Sequence, residues 1–178
     1  NGVVKIGVLT DLSGVYSDVA GKGTVVATEM AIADFIEKEK PTFKIEVVSA
    51  DHQNKGDIAA NKAREWFERD NVDVASELVT TSVALAVMKI AKEKNRIALV
   101  SGAASTLITN KECNDVTVQW TYDTYAVANG TAKAVTQGGG KKWFMLTADY
   151  AFGHALEKDA SDVVKANGGE VLGTVRHP

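Results

Sequence analysis

The chain has 178 residues, 45% hydrophobic and 24% charged, with a formal net charge of −3. That is enough polypeptide for one sizeable core or two small ones, and its lysines and arginines are spread along the chain, so no basic field marks a nucleic-acid partner. No apolar run approaches the roughly 20 residues that span a bilayer, and the opening Asn1-Gly2 in place of a Met leads us to expect a processed mature chain or an excised piece of a longer one.

Strand-like and helix-like segments alternate from end to end. Residues 3–9 are predicted as a first strand, followed by the loop Asp11-Leu12-Ser13-Gly14-Val15-Tyr16-Ser17. Val25, Ile32 and Ile36, with Val26, Met30 and Ala33 beside them, recur at a period of 3.6 and predict a helix with an inward stripe that stops before Pro41. Residues 43–50 form a second predicted strand. Ala59, Ala63, Trp66 and Phe67 mark the inner face of a second helix, and residues 72–78 a third strand. Val83, Ala86, Val87, Ile90 and Ala91 line a third helix, with Thr81 or Ser82 as its expected side-chain cap. The apolar run 97–100 is the kind that suits a strand covered on both faces.

The alternation restarts near residue 116, with 116–120 extended and a helix over 125–137 whose inward residues are expected to be Val127, Thr131, Ala134 and Val135. Gly138-Gly139-Gly140 stops that helix. Residues 143–147 and 171–175 are the last two strands, and Leu156, Ala160, Val163 and Val164 stripe the helix between them, which ends at Asn167-Gly168-Gly169. The expected architecture is α/β, a doubly wound parallel sheet. It comprises an N-terminal lobe over 1–120 and the first part of a second α/β lobe over 121–178, because two strands with two helices make a poor independent core. Right-handed crossovers bring the strand C-termini to one edge, where ligands of open sheets bind.

Two strand-end loops carry the chemistry. Thr80, Thr81 and Ser82 sit where a helix starts, so their hydroxyls and the free N–H groups of its first turn suit either helix capping or a bound carboxylate. Ser101 to Thr106 offers hydroxyls and close backbone approach with no acid, base or activated nucleophile. Ser13 and Tyr16, in the loop after the first strand, are a candidate donor and a candidate pocket wall. Tyr150 and Phe152, at a later strand end, are candidate aromatic covers, against a reading as packing aromatics at a helix start.

Other chemistries lack their marks. The glycines of the first loop match neither dinucleotide nor phosphate-loop spacing, and no G-x-S-x-G elbow is present. Asp51-His52, flanked by Gln53, Asn54, Lys55 and Gly56, reads as a polar turn rather than an acid–base pair. His52, His154 and His177 are far apart, and Cys113 is the single cysteine, so neither a metal site nor an internal disulfide is expected. Cys113 is expected to be a small buried thiol, or else to pair in some absent segment. No catalytic residue and no cofactor is expected.

At this point VKIGVLTDLSGVYSDVAGKG, DHQNK, ELVTTSVALAV, VSGAASTLIT, VQWTYDTYAVANGTA and WFMLTADYAFGHAL together resemble the periplasmic solute-binding proteins of ABC transporters. The likeness is to their branched-chain amino acid type, and especially to the branch associated with aromatic carboxylates. It runs from residue 3 to 178 and covers the first half of a typical member. The resemblance implies a two-lobed clamp, a periplasmic location, a membrane permease as partner, and a small carboxylate ligand that is either an aromatic acid or an apolar amino acid. It also implies the grip: Thr80 and Ser82 from one loop, the Ala103 backbone and the Ser105 hydroxyl from the next, and Phe152 with Tyr150 from the second lobe. Better-known amino-acid binders tend to carry Tyr where this chain has Phe152, which favours an apolar ligand body. The rival expectation is a ligand-sensing domain of a signalling receptor built on the same clamp.

Overall fold

A computed structural model describes residues 2–178. Its elements in chain order are β1 (Val3–Thr10), α1 (Gly21–Glu39), β2 (Lys44–Asp51), α2 (Gly56–Glu68), β3 (Val74–Glu77), α3 (Thr81–Glu93) and β4 (Ile97–Val100). There follow α4 (Thr106–Thr109), β5 (Thr117–Gln119), α5 (Thr124–Gln137), β6 (Lys142–Ala148), α6 (Ala151–Ala166) and β7 (Glu170–His177). The chain forms two compact units. One runs through Ala103 and takes in Cys113–Trp120; the other comprises Ala104–Glu112 and Thr121–Pro178.

The first unit holds a five-stranded, all-parallel sheet in the order β2-β1-β3-β4-β5. The chain steps from β1 to β2 in one direction, then crosses back over β1 to β3 and continues to β4 and β5. With right-handed crossovers this reversal puts α1 on one face, α2 and α3 on the other, and makes the C-terminal ends of β1 and β3 the topological switch point. Ala59, Ala63, Trp66 and Phe67 form the buried face of α2, as the periodicity predicts. The Trp66 ring packs closely on the β1 backbone at Gly7, where an added Cβ would come within 2.5 Å of it. Leu9, Leu78, Val83, Val87 and Met88 complete a core closed to solvent.

The second unit holds the parallel pair β6-β7, with α5 packed on α6 and α6 on both strands. Its core is small, centred on Ala132, Met145, Val163 and Val164.

Four packing expectations need correction. The α1 stripe is not a buried face: only Gly21 of that helix is buried, and Met30 is 63% exposed. The β4 strand is covered on one face rather than two, with Ala98 and Val100 buried while Ile97 and Leu99 stay open, which is the period-2 alternation of a half-covered sheet. The inward residues of α5 are Thr124, Ala128, Ala132 and Thr136, not the bulkier set one position away. Small side chains at i, i+4 spacing let α5 approach α6 closely, and that geometry outweighs hydrophobicity. Cys113 is exposed, not a buried thiol.

Candidate functional site

The switch-point edge of the first unit is built from three loops, each fixed by groups that the strands deliver. The loop after β1 folds around Asp11, which is fully buried and accepts hydrogen bonds from the Gly14 N–H at 2.7 Å and the Tyr16 N–H at 3.0 Å. Gly14 is required by this closeness, since a Cβ there would lie 2.5 Å from an Asp11 carboxylate oxygen. Ser13 is exposed, and its hydroxyl donates to Asp51 Oδ2 at 2.6 Å while the Leu12 N–H donates to Oδ1 at 3.0 Å. Burial acts to raise the Asp51 carboxyl, but the Ser13 hydroxyl and the Leu12 and Gln53 N–H groups outweigh it and hold the group below its ordinary value. Ser13 therefore ties its loop to the end of β2, and Tyr16, held in the same loop through its N–H to Asp11, is half-buried.

Past β2, His52 is fully buried, and its Nδ1 accepts from the Asn54 N–H at 2.9 Å. Gln53 and Asn54 both have positive φ. This is the polar turn that its neighbours predict, and burial pushes the imidazole below its ordinary value against the pull of the Asp11 and Asp51 carboxylates.

The loop after β3 begins with a strained pair. Glu77 and Leu78 have φ of 79° and 57°, the left-handed region that costs a side-chain-bearing residue on the order of 1–2 kcal/mol each. Leu78 is fully buried, so core packing offsets that cost and holds the turn. The turn delivers Thr80 to the N-cap of α3 in extended conformation. Here the capping expectation is corrected. Thr81 is the first helical residue, Ser82 is exposed, and no side chain caps the helix. No acid lies in its first turn, and the hydroxyls of Thr80 and Thr81 are buried without a hydrogen-bond partner. Four N–H groups at a helix start normally find a cap, water or a ligand, and this start brings unengaged hydroxyls beside them.

The loop after β4 crosses the end of β3. The Ser101 and Gly102 N–H groups both donate to the Glu77 carbonyl at 3.1 Å, and a Cβ on Gly102 would lie 2.5 Å from Glu77 Oε1. Ala103 is buried, and its carbonyl accepts from Gln119 Nε2 at 3.0 Å, which fixes the orientation of that peptide from β5.

In the second unit, Ser105 is fully buried and its hydroxyl caps α4 by accepting from the Leu107 N–H at 3.2 Å. The short α4 helix has no counterpart in the sequence reading, which ran its polar loop through Thr106. Tyr150 stands exposed immediately before α6, and Phe152 lines an apolar cavity of about 390 Å³ with Val127, Met145, Leu146 and Leu156. Thus Thr80, Ser82, Ala103, Ser13 and Tyr16 share one unit, while Ser105, Tyr150 and Phe152 belong to the other. Sequence reasoning passed over Glu77 and Gln119. An acid closing the otherwise uncharged strand Val74–Glu77 is the signal that could have found the first. Among the described residues no group of three or more His, Cys, Asp or Glu is placed to hold a metal ion.

A family model described as periplasmic binding protein matches residues 3–178. The chain belongs to that family. This periplasmic binding protein is 53% identical to a periplasmic binding protein of Burkholderia mallei, with a TM-score of 0.94 over 99% of this chain and 47% of the other. It is 38% identical to a branched-chain amino acid ABC transporter periplasmic ligand-binding protein of Burkholderia xenovorans, with a TM-score of 0.83 over 98% and 46% of the two chains. A solute-binding protein of an ABC transporter from Rhodopseudomonas palustris, solved with 4-hydroxybenzoate, is 26% identical with a TM-score of 0.84 over 99% and 47%. The chain thus spans a little under half the length of these structures, consistent with a second α/β unit that is partial here. No curated protein matches the chain.

Proposed function

We propose that this periplasmic binding protein serves as the extracytoplasmic receptor of an ABC uptake system and captures a small carboxylate without transforming it. The observation that carries the reading is the start of α3. An uncapped helix with no acid in its first turn and two buried, unpartnered threonine hydroxyls beside its N–H groups is a receptor for an anion of a few atoms. Thr80 and Ser82 would grip one carboxylate oxygen, and the Ala103 backbone, held by Gln119, would supply a further donor. Ser105 would act through the start of α4, and Tyr150 and Phe152 would face the apolar body of the ligand. Such a cradle is preorganised, and excluding water around it strengthens each hydrogen bond.

The relatives support both ligand classes: one is the periplasmic ligand-binding protein of a branched-chain amino acid ABC transporter and one holds 4-hydroxybenzoate. The ligand we propose is an aromatic acid or an apolar amino acid. A periplasmic location and a membrane permease as partner belong to the same proposal, and the family match supports them. Among the described residues no helix is long and apolar enough to cross a membrane.

A thermal-shift screen of the intact protein against benzoate, 4-hydroxybenzoate and the aliphatic amino acids tests the reading. A ligand at about 100 times its dissociation constant stabilises the native state by about 2.7 kcal/mol, which raises the melting temperature by several degrees. Absence of any shift across both classes counts against a carboxylate receptor.

A further inference from the structure

Glu77 is 4% exposed and no salt bridge among the described residues reaches it. Its carboxylate lies directly beneath Gly102, accepts the Val79 N–H of its own loop, and leaves Oε2 buried without a partner. The groups that face it are few. From β1 come the Thr10 hydroxyl, which leans toward the carboxylate without ordinary hydrogen-bond geometry, and the Asp11 carboxylate. The buried His52 interacts with the Asp11 and Asp51 carboxylates. From the loop after β4 comes the Gly102 backbone. A buried carboxyl with one donor, one idle oxygen, a second acid beside it and no cation is destabilised as an anion.

We propose that Glu77 is a positioning residue for the ligand cradle: its side chain seats the loop after β4 against the loop after β3, and the neutral carboxyl seats it better than the carboxylate. The proposal rests on the carboxylate-receptor reading above. The backbone half of the junction is the pair of bonds from Ser101 and Gly102 to the Glu77 carbonyl. The side-chain half is the carboxyl packed under Gly102, and it ties the register of Thr80 to that of Ala103. Ionisation places an unpartnered charge inside that junction and loosens the loops whose N–H and O–H groups must converge. Burial pushes the Glu77 carboxyl up to about 7, with the Val79 N–H and the Thr10 hydroxyl opposing the rise and Asp11 adding to it, so the junction changes charge within the ordinary working range of pH.

The test is calorimetric titration of the intact protein with 4-hydroxybenzoate and with L-leucine between pH 5.5 and 8.5, using wild type, Glu77→Gln and Glu77→Ala. If only the neutral form is competent, a group titrating near 7 weakens the wild-type Kd by about thirtyfold across that range. Glu77→Gln, neutral throughout, keeps the tight value at pH 8.5, and Glu77→Ala, which empties the junction, binds more weakly at every pH. Equal pH profiles for wild type and Glu77→Gln, or unchanged affinity in Glu77→Ala, overturn the proposal. If neither probe binds wild type, the receptor reading fails instead, and amide exchange then decides the junction. The Ser101 and Gly102 amides must exchange about tenfold faster in Glu77→Ala than in Glu77→Gln at one pH, relative to amides of the α2 core, and equal exchange refutes the pin. Should Glu77→Ala fail to fold, the comparison of wild type with Glu77→Gln still decides the matter.

Discussion

Ser82→Asp is expected to make the intact protein more stable and at the same time unable to hold a carboxylate. Position 82 is exposed and lies in the first turn of an α3 helix that has no acid there and no side-chain cap. A carboxylate at that position meets the positive end of the helix and its free N–H groups, which stabilises the fold by about 0.3–1 kcal/mol. In the proposed cradle a ligand carboxylate would use the same N–H groups and sit on the order of 4 Å from the new charge. At an effective dielectric near 20 that repulsion is roughly 4 kcal/mol, far larger than the stability gain and enough for at least a hundredfold loss of affinity. Ser82→Asn separates charge from shape, because it offers the helix a neutral oxygen and repels nothing. Chemical denaturation and ligand titration on the two variants give the answer, and an aspartate variant that binds as tightly as the asparagine one removes the carboxylate from the start of α3.

The elements were legible where burial and periodicity coincide. Ala59, Ala63, Trp66 and Phe67 read correctly because α2 packs on the sheet at Gly7 and alongside α3, so its apolar period and its buried face are the same set. They separate in α5, where close approach to α6 selects Thr124, Ala128, Ala132 and Thr136 over the valines. They separate again in α1, where Val26, Met30 and Ile36 are exposed, and in β4, where Ile97 and Leu99 face outward. A sequence records that such residues could be covered, not which segment covers them.

The proposed cradle was legible in type but not in construction. Hydroxyls after β3 and small residues after β4 announce a polar edge. That Ser13 is committed to Asp51 and Ser105 to α4, while Thr80 and Thr81 are left unengaged, depends on turns set by positive φ at Glu77 and Leu78. Neither residue type favours that conformation, so local preference points away from the observed turn and tertiary packing decides it.

The same turn makes a prediction about stability that needs no ligand. A free glutamate titrates at 4.5, and in the folded protein burial moves Glu77 up to about 7. Between those two values the native state holds a proton that the unfolded chain has lost, so raising the pH favours unfolding. The stability linked to this group is therefore complete below about 4.5, declines as pH rises, and is gone above about 7. The shift of about 2.5 units corresponds to roughly 3 kcal/mol. His52 works in the opposite direction. Burial lowers its folded value below 6.5, so it destabilises the native state as pH falls beneath that point. The two slopes overlap and partly cancel in the wild-type profile. Glu77→Gln removes one and keeps the other, so the difference between the two proteins isolates the glutamate. Measured by urea denaturation, the advantage of the glutamine variant over wild type should grow by roughly 3 kcal/mol between pH 4 and pH 8, nearly all of it between 4.5 and 7. A difference that stays level across that range means that the carboxyl finds a donor or a water in the native state and ionises there without penalty.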